Sequence, residues 1–156
     1  MSDESVKERA RIEQADRVLA IIWVAMILSV LTVAGVGFAI GPKEPGPGVD
    51  AGLMSTVFLA IGASMAVPCL VVRVLRDRAI EQATDATAAV ARYQQLAIVA
   101  IAMGEGIGML GGVALLIGLP TFVASVLLPL SVGLVLVNKP AMRAAADRAR
   151  MRKDLA

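Results

Sequence analysis

Four apolar stretches organise this chain: residues 18–40, 53–75, 95–119 and 121–137. Polar and charged residues gather in the connections, and Glu105 is the one charged side chain deep inside any stretch. About 20 predominantly apolar residues in a helix cross the hydrocarbon core of a bilayer, and these stretches reach or approach that length. No sustained alternation of apolar and polar positions accompanies them. A backbone in lipid must satisfy its own hydrogen bonds, so helices are predicted rather than barrel strands. The expected fold is all-α, an integral membrane four-helix bundle whose fourth span is the shortest and carries Pro129.

The connections carry separate signals. Gly41-Pro42-Lys43-Glu44-Pro45-Gly46-Pro47-Gly48 cannot continue a helix and predicts a short external connector. Gly118-Leu119-Pro120-Thr121 predicts an abrupt turn between spans three and four. From Arg73 to Gln95 there is neither Gly nor Pro, and helix formers dominate. Spans two and three are therefore predicted to continue beyond the membrane and meet in a cytoplasmic helical hairpin around residues 83–87. The chain divides into a charged segment 1–17, a four-span domain 18–137 and a basic tail 138–156.

Composition sharpens the class. Of 156 residues, 58% are hydrophobic and 18% charged, with a mean hydropathy of +0.77, which sets the chain apart from soluble domains. Placement of charge is more telling than its sum. All 15 Lys and Arg except Lys43 fall before span one, from the last turn of span two (Arg73) up to span three, or after span four. By the positive-inside rule, both termini and the central connection are expected on the cytoplasmic side of a cell inner membrane. Residues 1–17 carry charges of both signs and do not read as a cleaved signal peptide. Trp23 and Tyr93, near the cytoplasmic ends of spans one and three, are expected as interfacial anchors. The basic tail suits anionic headgroups, so the bilayer is an expected partner. No aromatic residues interleave its charges, and nucleic acid is not expected.

Candidate chemistry is sparse. The chain has no His and one Cys, Cys69, so no disulfide and no metal site with the usual zinc or haem ligands is expected. Met54, Met65, Met103 and Met109 read as ordinary apolar filler, and Pro68 and Pro129 as helix kinks. No nucleophile–base pair is visible, so no catalytic residue, cofactor or enzymatic activity is expected.

Glu105 stands apart. A carboxylate at the centre of a span costs about 2.5–3.5 kcal/mol on insertion scales. Ser29, Thr32, Ser64 and Ser131 lie at matching depth and can each bond a carboxyl, which makes them candidate companions of Glu105 in an ion-binding site. Ala100, Gly104, Gly108 and Gly112 recur every four residues, a small-residue ladder that lets another helix approach closely. Two functions are expected from this pattern. One is a proton- or cation-binding subunit using Glu105. The other is a structural or assembly subunit that packs through the glycine face against a membrane-protein partner or a second copy.

The segment Glu105-Gly106-Ile107-Gly108-Met109-Leu110-Gly111-Gly112 resembles the carboxylate helix of the proteolipid (c) subunits of rotary ATPases. Gly106, Ile107 and Gly111 match the order of a small residue, an aliphatic residue and a glycine six positions after the acid. That resemblance implies that Glu105 carries a proton or sodium ion, neutral toward lipid and ionised opposite a partner's arginine. It is confined to residues 105–117; the remainder reads as a small four-span bacterial membrane protein.

Overall fold

The computed structural model describes residues 3–40, 44, 48, 50–82, 86–140 and 151. Among these there are four α-helices and no strand: α1 (Asp3–Ile40), α2 (Ala51–Gln82), α3 (Ala86–Leu116) and α4 (Thr121–Val137). Three of them, α1, α2 and α3, are long and apolar enough to cross a membrane, and α4 is a shorter apolar helix of 17 residues. At 1.5 Å per residue α4 is about 25 Å long, short of a hydrocarbon core of about 30 Å.

Local chemistry sets the helix ends. Asp50 opens α2: its Oδ1 accepts the Leu53 N–H at 3.0 Å, satisfying one of the donors a helix start leaves unpaired. Span three stops at Leu116, three residues before the expected boundary, because Gly118 takes a left-handed φ of 80°. The Leu119 N–H then bonds Ala114 O at 2.9 Å and the Gly118 N–H bonds Leu115 O at 3.2 Å. This is the pair of bonds with which a left-handed glycine closes a helix. Leu119 folds back into the core beside Ala114, and Pro120 launches α4 directly. At three other boundaries the helices run well past the expected spans: α1 reaches back to Asp3, α2 extends to Gln82 and α3 begins at Ala86. The expected hairpin tip at 83–85, most of the 41–48 connector and most of the basic tail lie outside the described residues.

α3 is the hub. It packs against α1, α2 and α4, whereas no contact joins α1 to α2 among the described residues. Burial agrees, since 44% of the apolar window of α3 is covered against 17% in each of α1 and α2. One core cluster (Cys69, Ala100, Ile107, Ala114, Val123, Leu127 and Leu134) fills the space between α2, α3 and α4. A second, of Ile12, Leu19, Tyr93 and Ala97, joins α1 to α3. Rising numbers pair together along that seam, from Leu19 with Ala97 to Val30 with Gly108 and Val33 with Gly112, so α1 and α3 run parallel.

Candidate functional site

The small-residue ladder of α3 is buried throughout and engages the chain's own helices. A four-residue step overshoots a 3.6-residue turn by about 40°, so the ladder winds round the helix instead of marking one face. Ala100 O accepts the Cys69 thiol of α2 at 3.3 Å. A side-chain carbon at Gly104 would stand 2.8 Å from Val135 of α4. At Gly108 it would meet Ser131 of α4 at 2.5 Å and Val30 of α1 at 2.6 Å, and at Gly112 it would run into Val33 of α1. Four positions thus seat three neighbours, and packing outweighs the roughly 1 kcal/mol that each glycine costs a helix.

Glu105 lies off this ladder. Gly108, three residues on, meets Val30, and Met109, four residues on, accepts the Ser29 hydroxyl at 3.8 Å through its sulfur. Residues three and four apart share a helix face, so Glu105 sits on the α1 side of α3. On its other side lie the exposed Val99, Ala102 and Val113, with Gly106 among them half-buried against Met65 of α2. Glu105 is half-buried at the border between the two. Among the described residues no hydrogen bond or ion pair reaches its carboxyl.

The structure does not gather the four candidate hydroxyls around Glu105. Ser29 donates to Met109 Sδ. Thr32 and Ser64 are exposed and donate to carbonyls of their own helices, Leu28 O at 2.7 Å and Ile61 O at 2.7 Å. Ser131 is fully buried and donates to Gly104 O at 2.7 Å, tying α4 to α3. Ser29 alone shares the seam with Glu105. Equal depth does not make two side chains face one another, and a helical Ser or Thr readily bonds the carbonyl one turn back.

A second polar cluster, unmarked in the sequence, binds the end of α4. Asn138 is fully buried; its amide donates to Leu134 O at 2.8 Å and to Cys69 Sγ at 3.4 Å, while its Oδ1 has no partner among the described residues. Arg76 of α2, 5% exposed, donates to Asn138 O at 3.4 Å and lies 5.0 Å from the centre of the Tyr93 ring. The Trp23 indole of α1 donates to Val135 O at 2.9 Å, and the Lys139 ammonium stands 5.7 Å from its ring. Carbonyls of a last helical turn lack partners within the helix, and a cation there also opposes the helix dipole favourably. Tyr93 is therefore no interfacial anchor: it is 2% exposed beneath Arg76, with Ile12 and Leu19 in the same core cluster. Trp23 is half-buried and directed at α4. Arg76 reads in sequence as one more basic residue of the central connection, which hid its role.

No group of three or more His, Cys, Asp or Glu side chains suited to a metal ion occurs among the described residues. Compared with known proteins, the chain matches no family model, no curated protein and no solved structure.

Proposed function

We propose that this chain is an integral membrane protein of the cell inner membrane and serves as a proton- or cation-binding subunit through Glu105. Its termini and the connection between α2 and α3 are cytoplasmic in this reading, with the ends of α2 and α3 projecting from the bilayer. The distribution of Lys and Arg supports that orientation. One observation carries the functional reading: the Glu105 carboxyl is half-buried in an apolar helix and bonded to no other described residue. Interhelical hydrogen bonds in membranes average about 0.6 kcal/mol, and a carboxyl that clamps no helix in its own chain gains not even that. Its insertion cost is offset instead by a group from outside the chain. Labelling of intact membranes with a hydrophobic carbodiimide tests this. Glu105 should react, with a rate that depends on pH or on added cation. No modification at any pH or ionic condition, with unaltered function of a Glu105→Gln strain, would remove the basis of the proposal.

The exposed Val99, Ala102 and Val113 of α3 favour a second reading, an assembly subunit. Because Gly104, Gly108 and Gly112 already seat α1 and α4, a partner helix would have to use Val99, Ala102 and Val113 instead. An Ala102→Cys variant should then cross-link to a second chain in native membranes, whereas a cysteine replacing Phe38, on the outer face of α1, should not.

A further inference from the structure

We infer that the ion bound at Glu105 is a soft monovalent cation of the Cu+ or Ag+ type, held by Glu105 together with the thioethers of Met26 and Met109. This rests on the reading of Glu105 as an ion site and narrows the ion. The seam between α1 and α3 supplies the reason. Met109 stands one turn beyond Glu105 on the same face of α3, and its sulfur is turned into the seam, where it accepts the Ser29 hydroxyl. Val30 of α1 meets Gly108 and Val33 meets Gly112, in parallel register. Met26, half-buried and four residues before Val30, therefore occupies the same face of α1 at the level of Glu105, which is three residues before Gly108.

The carboxyl thus has a thioether one turn above it on α3 and another across the seam on α1. Oxygen donors are scarce at this place. Thr32 and Ser64 are bonded to carbonyls of their own helices. Ser131 reaches Gly108 from the α4 side with its hydroxyl donated to Gly104 O, which leaves Ser29 as the hydroxyl α1 brings to the seam near Glu105. Sodium and other hard cations need several oxygen ligands, whereas thioethers select soft ions. A single carboxylate also balances one positive charge, so a monovalent ion leaves the site neutral in an apolar surround. Read as filler in sequence, Met109 becomes a ligand candidate once the register places Met26 across the seam from Glu105.

Silver binding to the full chain in lipid nanodiscs tests the inference, in a Cys69→Ser background that removes the thiol. We expect one Ag+ per chain, undisturbed by excess Na+, and protection of Glu105 from carbodiimide by Ag+. Met26→Leu and Met109→Leu should each weaken silver binding about 10-fold or more, at least what loss of a metal's outer-shell partner costs. Met54→Leu, which removes a sulfur packed between α2, α3 and α4, should leave silver binding unchanged. Silver bound as tightly by the Met26→Leu/Met109→Leu double variant as by its parent would overturn the inference. So would carbodiimide protection by low pH or Na+ but not by Ag+, an outcome that leaves the ion-site reading intact. If Glu105 reacts under no condition, both fall.

Discussion

Replacing Gly108 by alanine tests how tightly the bundle is wedged. The added methyl would lie 2.5 Å from Ser131 Oγ and 2.6 and 2.7 Å from the two methyls of Val30. Comfortable carbon contacts begin at about 3.5 Å, so the misfit is about 1 Å on each side. Relief is blocked in both directions. Moving α3 away from α1 drives it into α4, Val30 is β-branched and stiff at χ1, and Ser131 cannot turn without breaking its 2.7 Å bond to Gly104 O. Overpacking of this kind costs about 1–3 kcal/mol, against a gain of about 1 kcal/mol from replacing glycine in a helix. Gly108→Ala should therefore be less stable by up to about 2 kcal/mol. Gly35→Ala and Gly133→Ala, where an added carbon meets nothing within 4 Å, should be neutral or up to about 1 kcal/mol more stable. Titration of the micelle-bound protein with dodecyl sulfate gives the comparison, read through the single Trp, Trp23, whose indole is hydrogen-bonded to α4. A Gly108→Ala midpoint equal to that of Gly35→Ala would refute the wedge.

Three further outcomes follow from the same contacts. Asn138→Leu removes the amide that closes α4 against Leu134 O and Cys69, and should cost about 1–3 kcal/mol by the same titration. Trp23→Phe keeps an aromatic ring but loses the pyrrole ring and its N–H to Val135 O; it should cost at least about 0.5–1.5 kcal/mol, followed by circular dichroism since the fluorophore is lost. Thr32→Ala and Ser64→Ala, which remove only bonds within their own helices, should change stability by less than about 0.5 kcal/mol and leave carbodiimide labelling of Glu105 unaltered.

Much of the fold was legible because membrane length and backbone satisfaction leave few choices. The 121–137 stretch coincides with α4, and Ala100, Gly104, Gly108 and Gly112 are buried. Partners were not legible. The ladder's spacing says that helices come close without saying that its winding delivers α2, α4 and α1 in turn. Tyr93 and Arg76 have the composition of a headgroup boundary, and that composition is the same whether they meet lipid or each other. At the Glu105 site, counting residues from the ends of the spans assigned depth but not direction. Only Ser29 survives as a neighbour in the seam, while Met26 comes from the register of α1 against α3.

The fastening of α4 has a bearing on biogenesis. Its final turn is secured by Trp23 from α1, Arg76 from α2 and, through Cys69, the Ala100 carbonyl of α3. A ribosome releases these parts in order, with Asn138 last. Until then the Trp23 indole and the Arg76 guanidinium lack these acceptors on α4, while the packing of α3 on α1 and α2 needs no residue of α4. The last turn of α4 is thus the final part to dock, and a chain truncated before Asn138 should keep α1–α3 together yet be degraded faster than the full chain.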